Sequence, residues 1–202
     1  MTSRRATRYL AFLRAINVGG HTVRMERLRA LFEGLRFANV ETFIASGNVL
    51  FDSSSTSRSA METRIERHLE TALGYPVPAF IRPLDSLAAV AGSHPFDSFE
   101  RDAHALSIGF LKHPVATADI PGLMALQTGY DEFHLRESEV YWLCHGRMSD
   151  SQVWGKALDQ ALGGPSTFRN VTTVRKLAAR AAPISLDPAA TGAARRAAPP
   201  LR

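Results

Sequence analysis

The chain is poor in the residues that build disulfide frameworks and membrane spans. Its 202 residues include a single cysteine, Cys144, which excludes an internal disulfide and a zinc site built from several thiolates. No apolar run approaches the ~20 residues that a membrane-spanning helix needs. The N-terminus lacks the pattern of a secretory signal, since Arg14 interrupts its apolar stretch. These absences predict a cytoplasmic protein with no membrane partner.

Several short motifs that identify a chemistry are also missing. The sequence has no dinucleotide fingerprint G-x-G-x-x-G, no phosphate-binding loop G-x-x-x-x-G-K-[ST] and no nucleophile elbow G-x-S-x-G. Its seven histidines never occur at the H-x-x-x-H or H-E-x-x-H spacing of helical metal sites. We therefore expect no metal and no cofactor.

The positive charge of the chain is unevenly placed. The formal net charge is +5. Arginines cluster at both chain ends, as Arg4, Arg5, Arg8, Arg195, Arg196 and Arg202. Because the part between these clusters is only mildly basic, we expect no sequence-specific binding of nucleic acid. Non-specific nucleic-acid binding is kept as an alternative function.

The first half of the chain alternates between strand and helix patterns. The predicted elements are a buried strand over 9–16, a helix over 25–35, strands over 40–45 and 49–52, a helix over 58–73 and a strand over 77–82. The order strand–helix–strand–strand–helix–strand is that of the split βαβ, or ferredoxin-like, unit. This half is therefore predicted to form one such unit.

The same order of elements begins again after a connector. The predicted elements are a strand over 105–111, a short helix over 119–126, strands over 131–135 and 139–143, and a helix over 149–162. Residues 166–170 fit a short strand or a turn, and a last helix begins at Thr172 or Thr173. The prediction is an α+β protein of two ferredoxin-like units with antiparallel sheets, plus a C-terminal helix.

The predicted organisation of the chain follows from these patterns. It comprises a disordered arm over 1–7, a first unit over 8–82, a connector with a short helix over 83–102, a second unit with the C-terminal helix over 103–182, and a disordered tail over 183–202.

Two polar clusters at strand and helix ends are the candidate binding residues. The first is Arg14, Asn17, Gly19 and Gly20, and the second is Thr167, Arg169, Asn170, Thr173 and Lys176. Cations and exposed backbone N–H groups beside a helix start can hold an oxyanion. The alternative for the first cluster is a salt-bridged arginine with turn glycines, and for the second it is helix capping. Ser46 and Asn48 of the first hairpin are added as candidates, because a side-chain amide there could reach a neighbouring cleft.

Three stretches in chain order, LRAINVGG, ASGNVLF and STFRNVTTVRKL, resemble the DUF1697 family of bacterial proteins over roughly residues 8–180. The resemblance implies two ferredoxin-like units and no established activity. The positions that match its motifs are Arg14, Asn17, Val18, Gly19, Gly20, Ser46, Gly47, Asn48, Thr167, Arg169, Asn170, Thr173 and Lys176. The chain departs from the pattern at Ala15, where the family usually has glycine, at Val171, where tryptophan is common, and in the loop after Gly20, which lacks the usual lysines.

The leading functional hypothesis is a module that binds a small anion, phosphate or nucleotide, with both polar clusters in one cleft. An enzyme acting on a phosphorylated or carboxylate substrate is the alternative. It would need a base near Arg14 or Arg169, and the sequence presents no candidate for that base.

Overall fold

The structure, a computed structural model, describes residues 6–17, 19–44, 47–96 and 105–181. Residues 1–5 of the predicted arm, the predicted tail over 183–202 and the candidate Ser46 lie outside these ranges. Within them, no helix combines the length and the apolar character that crossing a membrane requires.

The first half of the chain forms an antiparallel sheet of four strands with two helices. Its elements are β1 (Thr7–Leu13), α1 (Met25–Gly34), β2 (Ala38–Phe43), β3 (Asn48–Ser53), α2 (Arg58–Leu73) and β4 (Ala79–Pro83). The strand order of this first sheet is β2-β3-β1-β4. A 3-10 turn (Leu84–Ser86) and α3 (Leu87–Gly92) follow it.

The second half repeats this plan. Its elements are β5 (Ala105–Phe110), α4 (Ile120–Met124), β6 (Asp131–Arg136), β7 (Glu139–Cys144), a 3-10 turn (Met148–Asp150), α5 (Lys156–Ala161), β8 (Thr167–Asn170), α6 (Val171–Ala178) and a 3-10 turn (Ala179–Ala181). The strand order of the second sheet is β6-β7-β5-β8, so β1 and β5 occupy equivalent central positions. The predicted α+β fold with two antiparallel sheets is confirmed, while the ferredoxin-like label stays a prediction.

The two sheets pack face to face around a shared apolar layer. Side chains of β1 alternate: Tyr9 and Leu13 pack with the outer helices α1 and α2, whereas Leu10 and Phe12 face the second sheet. The rings of Phe12 and Phe110 stack there with centroids 3.9 Å apart. Helices α3 and α6 contribute to this layer, and α5 packs on the far side of the second sheet.

Two elements differ from the predicted boundaries. The helix predicted over 149–162 begins only at Lys156, since Gly155 before it has φ 64° and ψ −130°, a backbone shape that favours glycine. Strand β1 ends at Leu13 and not at Ile16, so Arg14 lies just beyond the strand. Residues 167–170 form a strand, which completes the second sheet.

One buried carboxyl makes the stability of this fold depend on pH. Glu62 of α2 is only 5% exposed, and its Oε1 accepts a hydrogen bond from Ile81 N at 2.9 Å. Burial raises the pKa of Glu62 above its ordinary value of 4.5, although the hydrogen bond from Ile81 and the charges of Lys112 and Arg82 oppose the effect. The folded state therefore binds the proton more tightly than the unfolded state, and stability falls as the pH rises through this raised pKa.

Glu62→Gln keeps the acceptor and removes the buried charge. We expect the variant to exceed the wild type in free energy of unfolding by about 1 kcal/mol at pH 8, a usual size for one buried polar change. The difference should shrink towards pH 4, which lies below both the ordinary pKa of 4.5 and the raised pKa of the folded state, so that Glu62 is mostly protonated in both states. Urea denaturation at the two pH values checks this, and a difference that does not change with pH would contradict it.

Candidate functional site

Arg169 connects the two sheets. Strand β8 places it opposite Ile108 of β5, and its buried side chain reaches across to the first sheet. Its Nε donates to Asn48 Oδ1 at 2.8 Å, and its Nη2 donates to Leu13 O at 2.9 Å. These bonds join the end of β1 and the start of β3 to the last strand of the second sheet.

The remaining surroundings of Arg169 fix its orientation. Nη1 donates to Thr167 Oγ1 and to Phe168 O, both at 2.8 Å, and the guanidinium lies 5.6 Å from the ring centre of Phe12. Burial lowers the pKa of Arg169 to about 10, so the group remains a cation at neutral pH.

Arg14 has a carboxylate partner from the second half of the chain. Its Nη1 and Nη2 donate to the two carboxylate oxygens of Asp159 in α5, each at 2.8 Å. Nη1 also donates to Ser166 O at 3.1 Å. The arginine side chain keeps 33% of its surface exposed. It is therefore an ion-paired group at the edge of solvent, with a bidentate, end-on geometry that holds the pair in one arrangement.

A cavity of about 770 Å³, here called the Trp154 cleft, brings parts of both polar clusters together. The loop after β1, the start of α5 and strand β8 line it, with Trp154 at its wall. Of the predicted site residues, Arg14, Asn17, Thr167 and Arg169 line this cleft. The two arginines therefore share one cleft.

The other predicted residues have different positions. Asn48 is fully buried behind Arg169. Gly19 and Gly20 are exposed with φ 64° and 86°, and they are not part of the described lining of the Trp154 cleft. Asn17 Oδ1 accepts a hydrogen bond from Val23 N at 2.7 Å, which braces the loop before α1.

Three residues of the second cluster belong to the last helix. Asn170 is its N-cap, and its side-chain oxygen accepts a hydrogen bond from Thr172 N at 2.8 Å. Thr173 is half-buried and Lys176 is exposed, and neither is among the described residues that line the Trp154 cleft. Within the described part of the chain, no group of three or more His, Cys, Asp or Glu side chains could hold a metal ion.

The single cysteine lies away from this cleft. Cys144 is fully buried in β7, and its thiol donates to Asp131 Oδ1 at 3.3 Å. Burial and the neighbouring carboxylate raise the pKa of Cys144 to about 12. The thiol therefore stays protonated at neutral pH and is a poor nucleophile.

The contacts of Arg169 recur at the opposite end of the interface around Arg82. Arg82 of β4 donates from Nε to Glu139 Oε1 at 2.6 Å, and from Nη2 to Leu111 O at 2.7 Å. Its Nη1 donates to Ile81 O at 2.9 Å, and its guanidinium lies 5.5 Å from the ring centre of Phe110. Leu111 follows β5 as Leu13 ends β1, so the two arginines have the same role in the two units.

The ion pair of Arg14 recurs as well. Lys112 follows the sequence Phe110-Leu111, as Arg14 follows Phe12-Leu13. Lys112 Nζ lies 2.6 Å from Glu66 Oε1 in α2, the counterpart of α5. Each unit therefore supplies a cation after its first strand and an acid on its second helix, and each pair crosses between units.

The two ends differ in charge and in space. At the first, the Asn48 end, Arg14 and Arg169 face the carboxylate of Asp159 and the neutral amide of Asn48. At the second, the Glu139 end, two cations (Lys112, Arg82) face two carboxylates (Glu66, Glu139). The formal charges of the four residues thus add up to +1 at the Asn48 end and to zero at the Glu139 end.

The shorter second helix leaves room at the Asn48 end. Helix α5 has 6 residues, whereas its counterpart α2 has 16. The cavity beside Arg82 and Glu139 measures about 320 Å³, against about 770 Å³ for the Trp154 cleft. At the four equivalent positions the Asn48 end therefore carries one more positive charge than the Glu139 end, and the cavity beside it is larger.

Sequence patterns alone did not identify Asp159 and Trp154 as site residues. The sequence pattern places Asp159 within the helix predicted over 149–162, and it places Trp154 on the apolar inner stripe of the same helix. The repeat of Phe-Leu-Arg at 12–14 and Phe-Leu-Lys at 110–112 was a usable signal, because it marks equivalent strand ends followed by a cation.

The family described as "Protein of unknown function (DUF1697)" matches residues 6–141. The chain belongs to the DUF1697 family. The match covers the first two motifs that carried the resemblance, while the third begins beyond it. No curated protein matches this DUF1697 chain.

A solved structure shows the same fold. The conserved bacterial protein SP0830 from Streptococcus pneumoniae is similar with a TM-score of 0.68 at 22% identity, over 87% of this DUF1697 chain and 98% of that chain. At this identity the similarity establishes the fold alone.

The departure at Ala15 has a structural meaning. Ala15 has φ 60°, in the left-handed region that glycine adopts without strain. The loop of this DUF1697 chain thus has a backbone shape suited to glycine at this position, although an alanine occupies it.

Proposed function

We propose that this protein is a small-molecule binding module whose Trp154 cleft takes an anionic ligand of the phosphate or nucleotide type. The observation that carries the proposal is the difference between two equivalent ends of one interface. The Asn48 end keeps the arginine framework of the Glu139 end, but it has one carboxylate fewer and a cavity of about 770 Å³. An arginine-lined cleft with excess positive charge favours an anion.

Arg14 is the residue that contacts the ligand in this proposal. A guanidinium has five N–H donors, and Arg14 uses three hydrogen bonds among the described residues, to Asp159 and Ser166. Two donors are left for a phosphate or carboxylate oxygen. Arg169 lies deeper, where its charge adds to the positive potential while its hydrogen bonds hold the sheets together.

Asp159 acts as a competing anion in this proposal. Its carboxylate neutralises Arg14 in the free protein, so a ligand must share the guanidinium with it or displace it. Because both side chains of the pair are about one-third exposed or less, the competition takes place at the cleft wall and not in the core. Anion affinity should therefore depend on the charge at residue 159.

Two substitutions at the Asn48 end test the proposal. Asp159→Asn should strengthen binding of AMP and of inorganic phosphate about tenfold, since it removes the competing charge. Arg14→Gln should weaken binding of both about tenfold, the usual size for one charge-assisted hydrogen bond. Isothermal titration calorimetry measures the affinities, and the rise in Tm with ligand concentration provides a second readout.

The Glu139 end supplies the matched controls. Glu66→Gln and Lys112→Gln make the same charge changes in the equivalent ion pair, whose two residues do not line the Trp154 cleft, and should change both affinities clearly less than the substitutions at Asp159 and Arg14 do. Equal effects at the two ends would show that only net charge matters, and would contradict a site in the cleft. Wild-type affinity in Arg14→Gln would contradict it too.

A further inference from the structure

Trp154 is a large aromatic side chain held at the wall of the Trp154 cleft with 46% of its surface exposed. Its indole Nε1 donates to Ser151 O at 2.9 Å, and its ring centre lies 4.8 Å from that of the buried Trp142. The ring is therefore fixed in place by a hydrogen bond and by an aromatic contact, and does not need to be ordered by a ligand.

The surroundings of Trp154 keep it exposed. Gly155 prevents α5 from extending back over residues 151–154, because its φ 64° and ψ −130° lie outside the helical region. The neighbouring walls include Ile16, Leu158 and Phe168, so an apolar surface adjoins the Arg14 edge. The cleft therefore joins a rigid aromatic wall to a cationic edge.

We infer that the ligand carries a flat aromatic ring joined to its anionic group, as in a nucleoside monophosphate or an aromatic carboxylate. This inference rests on the proposed function and specifies its ligand class. The ring stacks on Trp154 and the phosphate or carboxylate contacts Arg14. A preorganised indole is a good stacking surface for any planar ring, because every such ring presents a π-face.

Another exposed apolar side chain of the described residues provides a comparison for Trp154. The described residues include one other large exposed apolar side chain, Ile44, which is 51% exposed on the β2–β3 hairpin and is not among the described residues that line the Trp154 cleft. Ile44 has no aromatic ring, and it does not share the lining of the Trp154 cleft with Arg14. It therefore serves as the control position for removing an exposed apolar side chain.

The experiment separates the ring from the charge. Full-length protein is titrated with AMP, adenosine, ribose 5-phosphate and indole-3-carboxylate, with calorimetry for affinity and tryptophan fluorescence for location. AMP or indole-3-carboxylate should bind about tenfold more tightly than ribose 5-phosphate, since one stacked ring contributes roughly that factor. Binding should change the emission of the wild type, and Trp154→Phe should lose most of this change.

Variants at the two exposed positions complete the test. Trp154→Ala should lower affinity for the ring-bearing ligand about tenfold without changing affinity for ribose 5-phosphate, and Ile44→Ala should change neither. Trp154→Phe should keep most of the affinity, which shows that the fold persists.

Each outcome distinguishes this inference from the proposed function. Ribose 5-phosphate binding as tightly as AMP would overturn the aromatic ligand and leave the anion site. Adenosine binding as tightly as AMP would overturn the anionic group, and with it both proposals. No binding of any of the four compounds at millimolar concentration would overturn both as well.

Discussion

Replacing Glu139 with alanine is expected to lower the free energy of unfolding by about 3–5 kcal/mol, because it leaves a buried guanidinium without its carboxylate. Arg82 and Glu139 are both buried, and their atoms meet at 2.6 Å between the sheets. The carbonyl oxygens of Leu111 and Ser138 also accept hydrogen bonds from Arg82, but they cannot neutralise its charge. Urea denaturation of wild type and variant measures the loss.

Two further variants separate charge from packing at this pair. Glu139→Gln keeps an acceptor for Arg82 Nε and should cost less than the alanine variant. The double variant Arg82→Met/Glu139→Leu should recover much of the stability, since an apolar pair of similar volume avoids the cost of burying two charges. A single alanine variant that loses less than about 1 kcal/mol would show that water reaches Arg82.

Phe12→Ala is expected to cost about 3–5 kcal/mol, the range for truncating a fully buried phenylalanine. Phe12 stacks on Phe110 at the centre of the layer between the sheets and also lies under the guanidinium of Arg169. Its loss therefore opens a cavity in the interface that holds both halves together. Thermal or urea denaturation measures the change in stability.

Phe12→Leu is the control for this substitution. It keeps much of the volume, so it should cost clearly less than the alanine variant. A similar loss for both would mean that the stacked ring contact dominates over cavity formation. If Phe12→Ala were nearly neutral, the sheets would have to close over the missing ring.

Most of the fold was predictable because the hydrophobic pattern repeats. The apolar runs over 9–13 and 105–110 contain side chains that face core on both sides, and such strands lie at the centre of sheets. The boundaries were less certain. The apolar residues over 153–162 have helical spacing, which predicts a helix that includes Gly155. The backbone angles of Gly155 are not helical, and the sequence alone does not reveal them.

Part of the lining of the Trp154 cleft was predictable from the sequence. Arg14, Asn17, Thr167 and Arg169 were selected because they follow a strand or occupy one beside a helix start, and all four line the Trp154 cleft. The partner of Arg14 could not be found from local pattern, since Asp159 is 145 residues away along the chain. Such a pair depends on how the two units pack, which no local spacing encodes.

The crossed pairs at the two ends of the interface also constrain how the sequence can change. Asp159 compensates a charge in the first half, and Glu66 compensates one in the second. A substitution in one half is therefore best offset by a substitution in the other, more than 40 positions away for Lys112 and Glu66. The two halves are therefore expected to constrain each other's substitutions as the two partners of a protein–protein interface do.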